Sequence, residues 1–298
     1  MFRCKICLQT LVANAQPHER YVPIIQRHER EECPATVTPG LWLFDNPVTR
    51  RFTDDRVEFI TPLLHELRKT VGIDSAVDVG CGLGDISGFL SRFGIPRVVG
   101  IDGRSENLVE AQKRHEDVVF KLADAEELPV EQLGSFDLVL CFGLLYHLES
   151  PLRVIRKLHA LTGKVLMIES MCVPGDTPKL ELLDECDGQN QGLNYLAFYP
   201  SEPCLVKMLT RAGFPFVYQF LKLPSNSLYA ETAQRKRLRT MMIASKVELF
   251  DANLRLVQDQ PRIATEYADP WAKLGRRVRS RLGRAHRALR ARLERPEP

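Results

Sequence analysis

Val77-Asp78-Val79-Gly80-Cys81-Gly82-Leu83-Gly84-Asp85, followed by Val98-Val99-Gly100-Ile101-Asp102, is the stretch that decides the fold. The apolar run ending at Val79 reads as a short buried strand. Gly80, Gly82 and Gly84 then make a loop whose backbone can approach a ligand with no Cβ in the way. Ile86–Phe93 reads as a helix, ended by Gly94. Asp102 closes the second strand about twenty residues on, where a carboxylate can accept hydrogen bonds from a ribose diol. Strand, glycine loop, helix, strand and acid in this order hold a nucleoside at the carboxyl edge of a parallel sheet.

The spacing says which nucleoside. A dinucleotide site needs Gly-x-Gly-x-x-Gly, with a helix N-terminus facing a pyrophosphate. Here the third glycine arrives one residue early, and Asp78 stands two residues before the first. A carboxylate there suits a ligand with a cationic amino-acid end better than an anionic pyrophosphate. S-adenosylmethionine is such a ligand.

Working outward, strand and helix patterns alternate. Strands are expected at 76–80, 97–101, 118–122, 136–142 and 163–169, then at about 216–223 and 238–245. Helices are expected at Asp54–Thr70, Pro151–Leu161 and Glu202–Arg211. The first is apolar at Val57, Ile60, Leu63, Leu64 and Leu67, the stripe of a helix laid on a sheet. This alternation implies an α/β fold with a mostly parallel sheet and helices on both faces.

With these motifs in place, the chain resembles a class I S-adenosylmethionine-dependent methyltransferase over roughly residues 45–245. The resemblance implies a Rossmann-like, seven-stranded sheet whose last strand is antiparallel. It assigns Asp78, Gly80, Gly82 and Gly84 to the first cofactor motif and Asp102 to the ribose. Leu122-Ala123-Asp124-Ala125-Glu126 matches the segment whose Asp contacts the adenine amino group, so Asp124 and Ala125 join the cofactor set. Phe136–Phe142 matches the fourth strand and its substrate-facing end, and Cys141 within it joins the cofactor set. Gly143-Leu144-Leu145-Tyr146-His147-Leu148-Glu149-Ser150-Pro151 is narrower, as is Asn194–Ser201 followed by Leu209–Phe214. Both are similar to the tRNA-uridine carboxymethyltransferases and to related small-molecule or glycan methyltransferases. Carboxymethyltransferases use a carboxylated cofactor held by additional basic residues, and no motif here marks such residues. Ordinary S-adenosylmethionine is therefore the expected cofactor.

The methyl acceptor is expected to be an oxygen or nitrogen of a small molecule or glycan. A tRNA uridine is the alternative, and a zinc-containing scaffold with a degenerate methyltransferase fold is the reading from another class. Intact motif glycines and acids argue against degeneracy. An oxygen or nitrogen nucleophile can need a base near the working pH. His147, with Tyr146 beside it, is the candidate, and its other reading is to orient substrate or cap the helix at Pro151. Glu169 ends the fifth strand at the same edge. The insertion Ser170–Ser201 is long for a connection and carries Glu181, Asp184, Glu185, Asp187, Gln189, Asn190, Gln191, Asn194, Tyr195 and Tyr199. It reads either as the substrate-facing segment or as a solvated loop with a short acidic helix.

Composition supports an enzyme of 298 residues with 44 % hydrophobic content, enough for a sizeable core. No run of about eighteen apolar residues occurs, so a spanning helix is not expected. Met1-Phe2-Arg3-Cys4-Lys5 lacks the apolar core of a secretory signal, and eight cysteines then suggest a reducing, cytoplasmic setting. Three regions are expected: a Cys/His segment at 1–40, the methyltransferase domain at 41–250 and a basic tail at 251–298. Cys4, Cys7, His28 and Cys33 have the count and short spacings of a Cys3His zinc site, with His18 competing. The long gap between the two pairs also fits an arm of reduced thiols. From Trp271 onward, ten Lys/Arg stand against Glu294 and Glu297, a net +8 within a chain of net +3, so the remainder sits at −5. Trp271, Leu274, Val278, Leu282, Ala285, Leu289 and Leu293 fall on one helical stripe. Such a helix fits an anionic membrane surface, RNA phosphates or an acidic partner, or is simply solvated.

Overall fold

In the computed structural model, the described residues are 2–3, 10–12, 43–45, 47–185, 192–193, 196–231 and 237–259. Short strands β1 (Phe2–Arg3) and β2 (Thr10–Val12) pair antiparallel. A 3-10 turn at Leu43–Asp45 precedes α1 (Pro47–Thr70), β3 (Ser75–Val79), α2 (Asp85–Arg92), β4 (Arg97–Asp102), α3 (Ser105–Arg114) and β5 (Val119–Leu122). Then come β6 (Phe136–Phe142), α4 (Pro151–Leu161), β7 (Thr162–Met171), β8 (Leu180–Asp184) and β9 (Leu196–Pro200). Helix α5 (Glu202–Ala212) leads to β10 (Phe216–Phe220), β11 (Arg239–Ser245) and β12 (Leu254–Val257).

The main sheet runs β12-β10-β11-β7-β6-β3-β4-β5. Strands β5, β4, β3, β6 and β7 are mutually parallel. As expected from the resemblance, β11 is antiparallel, between β7 and β10. The sheet has eight strands rather than seven, because β12 adds an antiparallel edge to β10. At four residues, with Arg255 and Leu256 exposed and Leu254 and Val257 only half-buried, it gave no buried run to read.

The period of two along a strand divides the core between two faces. Leu138 and Leu140 pack with Ile60, Leu64 and Leu67 of α1 and Leu90 of α2. Val139 and Cys141 pack on the other face with Val154, Ile155 and Leu158 of α4 and Leu205 and Leu209 of α5. Helix α1 begins seven residues before the expected Asp54, with Pro47 in its first turn, where a missing N–H costs nothing. That extra length carries Phe52 into burial.

The insertion holds no acidic helix among its described residues. Leu180–Asp184 pairs antiparallel with Leu196–Pro200, from Leu180 opposite Pro200 to Asp184 opposite Leu196. Its ends are tied down by Ser201 N–H donating to the Lys179 carbonyl at 2.9 Å and Val173 N–H to that of Pro200 at 3.0 Å. Two strands each satisfy the other's backbone groups, which a helix of five residues cannot do.

The candidate zinc ligands Cys4, Cys7, His28 and Cys33 lie outside the described residues, as do the basic tail from residue 260 and Asp187, Gln189, Asn190, Gln191, Asn194 and Tyr195. Among the described residues no group of three or more His, Cys, Asp or Glu could hold a metal ion. No described helix is long and apolar enough to cross a membrane.

Candidate active site

The parallel strands end at one edge of the sheet, and a cavity of about 380 Å³ opens there. Gly80, Gly82, Asp102, Asp124 and Ala125 line it, brought from the loop after β3, the end of β4 and the turn after β5. Gly80 has φ +80°, and a Cβ there would lie 2.9 Å from the Leu144 Cβ. The backbone thus needs glycine both for its conformation and for its contact with the β6 exit loop.

Asp102 is held by three donors. Gly82 N–H reaches Oδ2 at 2.9 Å, while Arg104 N–H and the Asn107 amide reach Oδ1 at 2.9 and 3.1 Å. Burial pushes this carboxyl above its ordinary value, against the opposing pull of those N–H groups. Beside it, the Asn107 side-chain oxygen is buried with no hydrogen-bond partner among the described residues, and Asn107 lines the cavity. An unsatisfied buried acceptor next to a carboxylate fits a ligand that brings hydroxyl donors, as a ribose does. Asp124 caps the following turn by accepting Glu126 N–H at 2.8 Å. Phe44 covers the glycine loop, with a Cβ on Gly82 falling 2.8 Å from its ring. A two-pronged ion pair holds Phe44 there: Arg114 meets neighbouring Asp45 at 2.8 and 2.7 Å.

Three residues assigned to the cofactor set do not line the cavity. Asp78 is buried and accepts the Ser87 hydroxyl at 2.8 Å, with desolvation pushing its carboxyl up to about 6. Gly84 stands at the N-terminus of α2 with φ +78°, and a Cβ there would strike the Phe120 ring at 2.6 Å. Its early position in the motif makes room for Phe120. Cys141 is fully buried in the core beneath the sheet edge, and burial raises its thiol.

On the acceptor side the cavity is lined by Arg56, Tyr146, His147, Tyr199 and Arg239. His147 Nδ1 lies 2.8 Å from each carboxylate oxygen of Glu185. The Tyr146 hydroxyl accepts from Arg239 Nη2 at 2.7 Å, and its ring meets Tyr199 edge-on at 5.5 Å. Glu169 is wholly buried between two guanidinium groups, with Arg56 Nη2 at 2.6 Å and Arg239 Nη1 at 2.7 Å. Burial pushes its carboxyl up, but Arg239 and Arg56 more than offset this and hold it below the ordinary value. Both guanidinium groups also lie over the Phe52 ring, at 4.3 and 4.8 Å. Sequence reasoning missed Arg56, Arg239, Asn107 and Phe44. Arg239 stands just after the basic run Arg235-Lys236-Arg237 and Arg56 between Asp55 and Val57 on the first helix, and nothing in the sequence singles out either.

Residues 77–164 match the model of a family described as a methyltransferase domain. Among curated proteins, a tRNA U34 carboxymethyltransferase of Ectopseudomonas mendocina is 36 % identical over 145 residues, covering 46 % of this chain and 44 % of that protein. One from Shewanella baltica is 31 % identical over 187 residues, covering 60 % of this chain and 54 % of that protein. The chain thus spans about half the length of these relatives. The crystal structure of the N-terminal domain of EvdMO1 with SAH bound shares the fold at a TM-score of 0.51 and 21 % identity, over 62 % of this chain and 79 % of that one. The glycine loop, the acid closing β4, the sheet order and the family match converge on a class I S-adenosylmethionine-dependent methyltransferase domain, matched over residues 77–164.

Proposed function

We propose that this domain methylates an oxygen or nitrogen atom of a small-molecule or glycan acceptor. The observation that carries the reading is His147, a proton acceptor by chemistry, on the wall of the same cavity that Gly80, Gly82, Asp102 and Asp124 line. S-adenosylmethionine, when bound, supplies an activated methyl sulfonium. Asp102 and Asn107 would hold the ribose hydroxyls, and Asp124 and Ala125 would lie on the side of the base. Phe44, Phe52 and Leu144 exclude water, and the enclosing walls align the nucleophile with the methyl carbon. His147 takes the acceptor's proton as the new bond forms.

One observation favours a second reading, carboxymethyl transfer to a tRNA uridine. Arg56 and Arg239 set two positive charges against Glu169 on the cavity wall, and the Nε of each is buried with no hydrogen-bond partner among the described residues. A carboxylate carried by the cofactor fits that surplus charge, and the curated relatives bear that activity in their names.

The test pairs binding with transfer. Calorimetry should give saturable, micromolar-range binding of S-adenosylmethionine and of S-adenosylhomocysteine, and no heat from either overturns the methyltransferase reading. Methyl-labelled cofactor is then offered with hydroxylated small molecules, with glycans and with unmodified tRNA. Label in the small molecules or glycans supports the first reading. A preference of tenfold or more for the carboxylated cofactor, lost in Arg239→Gln, with product only on tRNA, replaces it with the second.

A further inference from the structure

The mechanism above uses His147 but gives no work to Glu185, the residue at which the insertion enters the core. Its side chain is wholly buried, and the residue is 2 % exposed. An ionised carboxylate at such depth is costly unless paired and hydrogen-bonded. Here both oxygens converge on one ring nitrogen at 2.8 Å, and Oε2 also accepts Gly192 N–H at 2.9 Å. Gly192 in turn packs against the His147 backbone: a Cβ on it would lie 2.7 Å from the His147 carbonyl oxygen. Its own carbonyl accepts from Arg104 Nη2 at 3.4 Å, two residues past the ribose-facing Asp102. Leu193 rests on Gly103, where a Cβ would meet its Cδ1 at 2.9 Å. The insertion therefore touches the cofactor-side loop and the candidate base together.

We propose that Glu185 is the positioning residue for His147, held in place through the Gly192 N–H. This rests on the methyltransferase reading above. The carboxylate holds the neutral imidazole with its proton on Nδ1, which makes Nε2 the basic nitrogen of the ring. As the acceptor oxygen or nitrogen bonds to the methyl carbon, the carbon–sulfur bond breaks and its electron pair stays on sulfur. The acceptor's proton passes to Nε2, and the imidazolium formed is stabilised by the Glu185 charge. Among the described residues, the charged and titratable groups about this pair are Tyr146, Arg104 through the Gly192 carbonyl, Tyr199 and Arg239 through Tyr146, and Glu169 behind Arg239.

The experiment needs no acceptor. Histidine is labelled with ¹⁵N in the full chain, and the His147 ring signals are assigned by their loss in His147→Gln. In the wild type the neutral ring should carry its proton on Nδ1. In Glu185→Gln, whose amide can accept or donate at Nδ1, the single tautomer should no longer be enforced, and the His147 titration midpoint should fall by about one pH unit with loss of the neighbouring negative charge. S-adenosylhomocysteine affinity, read by calorimetry, should stay within about threefold, since Glu185 does not line the cofactor end. A wild-type ring protonated on Nε2 overturns the proposal even where the variant fails to fold. So does an unchanged midpoint in a variant that still binds S-adenosylhomocysteine. Failure of the wild type to bind it overturns the underlying reading instead, and the role falls with that.

Discussion

The two halves of the cavity are built in opposite ways. The cofactor side comes from contiguous sequence, where Gly80, Gly82 and Asp102 sit within one strand–loop–helix–strand unit and Asp102 receives the Gly82 N–H. The acceptor side is assembled from charges far apart in the chain. Arg56 reaches Glu169 across 113 residues, and Arg239 reaches Tyr146 across 93. The first half depends on backbone conformation, which neighbouring residues dictate. The second depends on buried ion pairing, which exists only after the sheet has closed.

Breaking the local half should have the largest effect. Gly80→Val places a branched side chain at φ +80° and drives it into Leu144, so S-adenosylhomocysteine affinity should fall by at least about a hundredfold. Calorimetry on protein shown to be folded by its thermal transition reads this directly. Binding within tenfold of the wild type would mean that the loop conformation does not set the cofactor side. The assembled half should fail as stability instead. Glu169→Gln leaves Arg56 and Arg239 facing each other, each beside Phe52, without their common carboxylate. Removing one partner from such a buried cluster costs about 3–5 kcal/mol, measurable by denaturant unfolding. A loss under about 1 kcal/mol would show that the wall stands without its ion pairs.

That contrast also accounts for what could be read in the sequence. Strand β6 was legible to the residue, because Leu138–Phe142 is a continuous apolar run buried on both faces, entered through Phe136 and Asp137. So was α4, which opens with Pro151 and turns one apolar stripe to the core. The β8–β9 hairpin was not legible, since Leu180 and Leu182 point to solvent and the strands are stabilised chiefly by each other. Within the site, Asp102 was readable from its spacing. Glu185 stood among ten polar and aromatic residues of the insertion with nothing to distinguish it, and only the fold brings it to His147. At the third position of the glycine motif, Gly84 packs against the Phe120 ring and is not on the cavity wall.

The smallest effect tests the boundary between the halves, at Asp78. It belongs to the legible motif by sequence but lies beneath the cavity, buried, bonded to Ser87 and desolvated so that its carboxyl titrates at about 6 instead of 3.8. The sign follows from linkage. Below the unfolded value both states hold the proton and Asp78 is neutral in stability. Between about 4 and 6 the unfolded chain ionises while the folded one does not, so stability falls as pH rises through that window and stays lower above it. The penalty is on the order of 1–3 kcal/mol at neutral pH. Asp78→Asn keeps an acceptor for the Ser87 hydroxyl and has no charge to bury. The variant should therefore gain stability over the wild type steadily from pH 4 to 6, with a constant advantage above. Asp102 titrates in both proteins, but its charge is one of the causes that raise the Asp78 carboxyl, so part of the difference reports their coupling. Urea unfolding at intervals across that range reads it, and a difference that does not change with pH would deny the shift. S-adenosylhomocysteine affinity, measured on the same samples, should change by less than about threefold because Asp78 does not line the cavity. A loss of tenfold or more would return Asp78 to the cofactor side, and with it extend the locally encoded half one shell deeper into the sheet.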